Sequence, residues 1–308
     1  MKAMTYTQFG GTEVLEVSEL PTPKVAPGAV LIRVKAASVN PVDWKIMAGY
    51  LDTLMDITFP VIPGWDVAGV VEAVGFDTPE FAVGDAVYSY GRRDTVQGGT
   101  FAQLVALPAS VVAHKPQSLT WEQAAGLPLT GLSALRTLDA LDLETGHTLL
   151  IHNGAGGVGR MAIQLAVNAG ARVIATASKK NHERLRELGA EPVEYGENLV
   201  QNVRTLAPEG VDAVADFAGN VVEQTLAVLT SGGKHASLAD GSVDAAGGRY
   251  IWVRPDRGEL ERLSVMVGAG TLSVDVAASY PMEELAAAFE SSMAGHVSGK
   301  IVLTPFSS

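Results

Sequence analysis

The sequence predicts an α/β protein of two domains, a doubly wound parallel sheet set between two parts of a smaller, β-rich domain. Three observations predict it. At 308 residues the chain is longer than one ordinary core needs and suits two. Its texture changes near residue 120 from short strand-like runs to alternating helix and strand. Within the second texture, an apolar run leads directly into a glycine-rich turn and an amphipathic helix, the opening of a βαβ unit.

The first stretch carries strands expected at Ala29–Lys35, Val67–Val74 and Ala86–Tyr88, with turns at Pro27-Gly28 and Gly84-Asp85. Thr120 is positioned to cap a helix starting at Trp121, with Gln123 as its reciprocal partner three residues on. Strands are expected next at Thr148–His152, Arg172–Ala177, Val211–Asp216 and Gly233–Leu238, alternating with helical stretches as in a parallel sheet. A helix at Pro281–Gly295 and a last strand at Lys300–Thr304 close the chain. The expected domains are therefore 1–119, 120–260 and a return segment 261–308 that completes the two.

Composition narrows the chemistry. There is no cysteine, which excludes disulfides, a thiolate nucleophile, iron–sulfur ligation and any cysteine-based zinc site. A net charge of -12 argues against broad attachment to nucleic acid or an anionic membrane. The first residues hold no apolar block of the signal-peptide kind, and no apolar run approaches the ~18 residues of a membrane helix. A cytoplasmic location is the expectation that follows.

After Leu149-Leu150-Ile151 comes Asn153-Gly154-Ala155-Gly156-Gly157-Val158-Gly159, in which Gly154, Gly156 and Gly159 satisfy G-x-G-x-x-G. Such glycines allow a tight turn, close approach of backbone to a pyrophosphate, and close packing of helix on strand. Val158, Met161, Ala162, Leu165, Ala166 and Ala169 give the following helix one apolar face, and its N-terminus offers free N–H groups to the phosphates. Strand, motif, helix and second strand in this order mark a Rossmann unit. An NAD-binding unit places an acid near the end of the second strand to hold the ribose 2′-hydroxyl. Here that strand ends Ala177-Ser178-Lys179-Lys180, with no acid before Glu183. One carboxylate ~4 Å from a 2′-phosphate costs up to about 4 kcal/mol at an effective dielectric of ~20. A hydroxyl and two ammonium groups reverse its sign, so the cofactor expected is NADPH. On the other reading of these lysines, they begin a solvated helix.

Further fragments carry a family resemblance: Ala37-Ser38-Val39-Asn40-Pro41-Val42-Asp43, Pro63-Gly64-Trp65-Asp66-Val67-Ala68-Gly69, Gly84-Asp85-Ala86-Val87-Tyr88, Leu129-Thr130-Gly131 and Gly299-Lys300-Ile301-Val302. In this order, with the glycine loop, they resemble the medium-chain dehydrogenase/reductase superfamily, in its zinc-free quinone oxidoreductase branch related to zeta-crystallin. The likeness implies a GroES-like catalytic domain, a Rossmann cofactor domain, a cleft between them and a homodimer. Zinc-using members carry an early Cys and a Gly-His-Glu where this chain has Gly64-Trp65-Asp66. Asp66 alone is too small a ligand set for zinc, and the histidines (His114, His147, His152, His182, His235, His296) show no ligand spacing, so no metal is expected. His152 is expected to pack or hydrogen-bond rather than act as an acid.

By resemblance, Asn40 and Thr130 lie near the nicotinamide and its ribose, and Gly154, Ala155, Gly156, Gly157, Val158 and Gly159 line the pyrophosphate. Ser178 with Lys179 or Lys180 meets the 2′-phosphate, Tyr195 lies beside the adenosine ribose, and Phe217, Ala239 and Val253 contact the cofactor. Asn40-Pro41 also reads as a helix start, Asn as N-cap and Pro at the first helical position. Tyr195 also reads as an ordinary half-buried aromatic. Enoyl-reductase relatives carry an acid tyrosine two residues after the glycine equivalent to Gly49; here Leu51 stands there and Tyr50 one residue earlier. With neither zinc nor a well-placed acid, the expected acceptor is one that spreads charge by itself, a quinone or an α,β-unsaturated carbonyl. Asn40, Tyr50 or a backbone N–H would stabilise its oxygen. Enone or enoyl reduction, and a non-catalytic NADPH-sensing protein, are the alternatives.

Overall fold

In the computed structural model, which describes residues 1–295 and 297–307, the chain forms two compact units. His296 lies outside the described residues. One unit comprises Met1–Leu129, Arg254–Gly270 and Val274–Ser308, the other Thr130–Val253 with Thr271–Ser273. The changeovers thus fall near 129 and 253, beside the expected 119 and 260. Helix Trp121–Gly126 explains the first shift, because it packs on strands Ala29–Val39 and Asp66–Val74 of the first unit. Its start is as expected, with Gln123 N donating to Thr120 Oγ1 at 3.2 Å and Thr120 N to Gln123 Oε1 at 3.0 Å.

The first unit is built on a seven-stranded sheet. Its long strand, Ala29–Val39, runs antiparallel to Asp66–Val74 on one side and to Lys300–Thr304 on the other. The register pairs Ser38 with Asp66 and Val39 with Ile301, which brings Asp66 and Lys300 to one end of that strand. Residues of Ala29–Val39 are buried on both faces except at Arg33 and Lys35, which explains a β-branched, alanine-rich run in place of clean alternation. The strand is four residues longer than expected, since Ala36 to Val39 each pair with a neighbouring strand, Ala37 and Ser38 with both.

The second unit carries a six-stranded, wholly parallel sheet. Its spatial order is Ala190–Val193, Arg172–Thr176, Thr148–His152, Val211–Asp216, Leu229–Ser237 and Arg249–Tyr250. Numbered along the unit this is 3-2-1-4-5-6, the Rossmann order, and direction of growth reverses between Thr148–His152 and Val211–Asp216. Leu150, Ile174, Val193, Val203, Val214 and Val228 form the core on one face. Truncating any of the larger ones to Ala removes about 2–5 kcal/mol. Helix Gly157–Asn168 is buried nearly all round, whereas the sequence pattern gives it one face. The cause is Thr271–Ser273, which covers the outer side: Gln164 Oε1 accepts from Ser273 N at 2.8 Å, and Asn168 Nδ2 donates to Thr271 O at 2.8 Å. Ala169, expected on the buried face, caps the helix in solvent.

Candidate active site

In the second unit the parallel strands all end at one edge, and loops from that edge gather most of the expected cofactor residues. Asn153 turns the chain out of the first strand with φ of 59°. Its N–H donates to Thr176 Oγ1 at 2.9 Å and its side-chain amide to Phe217 O at 3.2 Å, tying the loop to both neighbouring strand ends. The glycines then have distinct duties. A Cβ on Gly159 would lie 2.2 Å from Asn153 O, and one on Gly154 2.7 Å from Ala175 Cβ. These two close the helix onto the strand. A Cβ on Gly156 would meet only the Asn153 side chain, at 3.0 Å, so Gly156 leaves space open above the loop, where a pyrophosphate approaches. Gly156 also precedes the first turn of helix Gly157–Asn168, whose free N–H groups face that space. The cradle fits a dinucleotide.

Ser178, Lys179 and Lys180 follow the second strand, the lysines in solvent. Beside them, after the third strand, stand Glu194 and Tyr195, the tyrosine exposed. Lys179 Nζ lies 3.4 Å from Glu194 Oε2, a contact the motif did not disclose. Phe217 and Ala239 follow the fourth and fifth strands, and Val253 follows the sixth, half-buried. Thr130 is buried in helix Pro128–Ala140.

Asp216 organises two of these loops and escaped the sequence reading. Its Oδ1 accepts from Ala218 N at 2.8 Å and Gly219 N at 3.0 Å, while Oδ2 accepts from Ser237 Oγ at 2.7 Å. Ser237 Oγ accepts in turn from Ala239 N and Asp240 N, each at 3.0 Å. An acid at the end of an apolar strand, with glycine three residues on, was the available signal. His152 beside it is buried and shares a hydrogen bond of 3.3 Å with Thr225 Oγ1. Burial pushes its imidazole down to about 4, against the opposing charge of Asp216, so it is neutral at pH 7.

In the first unit, Asn40 heads helix Pro41–Met47, and its backbone N–H donates to Asp43 Oδ2 at 2.8 Å. Its side chain turns away into a buried polar network. Asn40 Oδ1 accepts from Lys300 Nζ at 2.6 Å and Nδ2 donates to Asp66 Oδ2 at 2.9 Å. Lys300 also donates to Val39 O at 3.1 Å and lies 3.9 Å from Asp66. Ser38 Oγ and Leu129 N complete the shell of Asp66, at 3.1 and 2.9 Å. Burial pushes Asp66 up and Lys300 down, and their mutual attraction opposes both shifts. Burial also raises the Asp43 carboxyl to about 8. Tyr50 follows that helix with its ring in solvent, whereas Leu51 is buried.

These residues do not fit zinc. Both oxygens of Asp66 are taken by protein donors, and a lysine ammonium, which repels a cation, stands where further ligands would be needed. Among the described residues no group of three or more His, Cys, Asp or Glu is arranged to hold a metal ion.

Fold and cradle together define a dinucleotide-binding protein with a separate β-rich unit. Comparison with known proteins makes the class specific. Residues 26–117 match the alcohol dehydrogenase GroES-like domain and residues 188–303 the zinc-binding dehydrogenase family. An NADPH-dependent alkenal/one oxidoreductase of Arabidopsis thaliana is 34% identical over 99% of this chain and 80% of its own length. The quinone oxidoreductase structure from Coxiella burnetii is 34% identical, covers 99% of both chains and superposes with a TM-score of 0.87. A mycobacterial protein solved with NADPH is 29% identical, covers 99% of this chain and all (100%) of its own, with a TM-score of 0.86. The chain belongs to the medium-chain dehydrogenase/reductase superfamily, in the branch of quinone oxidoreductases and alkenal reductases, and is an oxidoreductase.

Proposed function

We propose that the protein is an NADPH-dependent, zinc-independent reductase of quinones or other conjugated carbonyl acceptors. The observation that carries this is the second strand's end: Ser178, Lys179 and Lys180 stand where an acid would hold an NAD ribose, beside a glycine cradle open at Gly156. Bound NADPH supplies a hydride from its nicotinamide ring. The chain's part is to cradle the pyrophosphate at Gly154 to Gly159, to meet the 2′-phosphate with the lysines, and to shape the remaining contacts through Asp216 and Ser237. Relatives named for quinones and for alkenals support the acceptor class. The Asp66–Lys300 pair supports independence from zinc, since it leaves no ligand set. By family, the working form is a homodimer; among the described residues no helix is long and apolar enough to cross a membrane.

Enone or enoyl reduction is the second form of this activity. The enoyl-thioester variant is disfavoured by Leu51, buried where such relatives carry an acid tyrosine. The experiment is a steady-state screen with NADPH against benzoquinone, 9,10-phenanthrenequinone, 2-alkenals and enoyl thioesters. Turnover of the quinones or alkenals is expected. NADPH binding without turnover of any of them would leave the cofactor-sensing alternative.

A further inference from the structure

The first unit holds a cavity that neither the cofactor cradle nor the Asp66–Lys300 pair uses. It is partly open to solvent, and the free space within it takes about one water-sized group. Arg93, Thr95 and Gln97 form an exposed rim, while Tyr6, Asp43 and Trp65, all buried, form the floor. The walls are fixed by backbone. A Cβ on Gly99 would fall 2.3 Å from both Ile62 O and Pro63 O.

Two polar atoms on that floor have no hydrogen-bond partner among the described residues, Tyr6 Oη and Asp43 Oδ1. Tyr6 is 0% and Asp43 2% exposed. Burying a polar group unpaired costs about 1–3 kcal/mol, so two such atoms at one cavity point to something that binds there. The hydrogen bonding of Asp43 tells which kind. Its Oδ2 already accepts from Asn40 N, so the proton of the neutral acid belongs on Oδ1, the oxygen left without a partner. Burial holds both groups in their protonated forms, the carboxyl up to about 8 and the phenol well above its usual range. Two O–H groups without a protein acceptor suit an oxygen that accepts from both.

We propose that this cavity seats the carbonyl oxygen of the acceptor, with the Tyr6 hydroxyl and the Asp43 carboxyl as its two donors. The inference rests on the reading of the chain as a reductase of conjugated carbonyls, and gives that activity the polarising groups that the Asp66–Lys300 pair does not supply. As a hydride adds to the β-carbon of an enone, the π electrons shift and negative charge arrives on this oxygen; a proton taken from water at the α-carbon then completes the saturated carbonyl. Preorganised donors aimed at such an oxygen stabilise it far more than water does. A tyrosine beside a carboxylic acid kept neutral by its surroundings is one established way of building that site. The charged and titratable groups around Asp43 are Asp66 and Lys300 from the sheet, Tyr6 from the N-terminal segment and Tyr90 from the strand beyond it, with Arg93 on the cavity rim.

The test uses the full chain saturated with NADPH for turnover, or with NADP⁺ for binding. 2-Cyclohexenone is the substrate and 4-nitrophenolate, an oxygen anion with a visible band, the binding probe. Tyr6→Phe keeps the ring and removes one donor. It should lower kcat on the enone about a hundredfold with the KM for NADPH unchanged, and weaken nitrophenolate binding at least tenfold. Asp43→Asn keeps the oxygen that caps Asn40 and offers an N–H for the O–H. It should lower kcat about tenfold at pH 7 and erase the wild type's loss of activity above about pH 8, both profiles being taken only at pH values where the two proteins are shown to stay folded, so that Asp43's effect on stability does not enter. Should Tyr6→Phe fail to fold, the pH profile of Asp43→Asn decides the question alone. A folded Tyr6→Phe with wild-type kcat and nitrophenolate affinity, or an Asp43→Asn profile identical to wild type, would overturn the proposal. If nitrophenolate binds and Tyr6→Phe weakens it while no conjugated carbonyl is reduced, the oxygen site stands and the assigned activity falls.

Discussion

Replacing Glu194 with Gln should tighten NADPH binding and leave NADH binding nearly unchanged. In the structure Lys179 Nζ rests 3.4 Å from the Glu194 carboxylate, the two side chains 80% and 49% exposed. A 2′-phosphate at this strand end must therefore draw Lys179 away from Glu194 and tolerate the carboxylate beside it. An exposed ion pair contributes at most about 1 kcal/mol, a factor of about five. Residual repulsion between carboxylate and phosphate adds up to about 1 kcal/mol per charge at ~4 Å in water. The expected gain for Glu194→Gln is about five- to tenfold in NADPH affinity at low salt, shrinking as the ionic strength rises. Lys179→Ala with Lys180→Ala should act oppositely, losing about tenfold per effective contact, the lower end for charge-assisted bonds at a wet rim. Ser178→Asp should go further and favour NADH. Dissociation constants of both nucleotides, titrated for each variant at two salt concentrations, give the answer. Equal wild-type affinities for NADPH and NADH, or a Glu194→Gln variant that binds both as before, would show that these side chains are solvated surface and the cofactor assignment wrong.

Asp43 also predicts a pH effect on stability. Its folded-state value of about 8 lies above the ordinary 3.8, so the folded form holds the proton more tightly. That contribution is complete below about pH 4 and is lost as pH rises toward 8, on the order of 5 kcal/mol in all. Asp43→Asn should remove this slope, so urea denaturation from pH 5 to 9 should show the variant gaining on wild type as pH rises; parallel curves would refute it. In the glycine loop, Gly159→Ala should disturb the fold itself, because its Cβ would press on Asn153 O at 2.2 Å, whereas Gly156→Val should fold and lose NADPH binding. A melting temperature and a nucleotide titration separate the two, and normal NADPH affinity in folded Gly156→Val would make the loop structural. Purified protein should contain no stoichiometric zinc and keep its NADPH oxidation in chelator; about one tightly held zinc per chain, lost together with activity, would contradict the reading of Asp66 and Lys300.

Where the local sequence fixes the structure, the expectation and the fold coincide. Strands Thr148–His152, Val211–Asp216 and Lys300–Thr304 begin and end as expected, because short apolar runs there are closed off by turn residues. The capping pair Thr120 and Gln123 likewise works over three residues. What stayed hidden depends on distant pairing. Lys300 lies 260 residues from Asn40, and only the register of two sheet neighbours brings the ammonium onto that amide. The same holds for Tyr6 and Asp43, which share a cavity through backbone that no motif describes. Asn40 shows the limit most clearly. Its motif implied either a helix cap or a cofactor contact, while its side chain serves the buried Asp66–Lys300 pair. Gly156 and Gly159 were legible as a motif, but only the built backbone separates the glycine that admits a ligand from the one that admits the helix.

The most direct measurement of the proposed activity is the anaerobic stoichiometry of NADPH oxidation by the full chain, in chelator, with 9,10-phenanthrenequinone and a 2-alkenal as separate acceptors. One NADPH consumed per acceptor reduced, with NADH markedly slower and the chelator without effect, is the result expected. No consumption with either acceptor, or consumption that stops in chelator and returns with zinc, would contradict it.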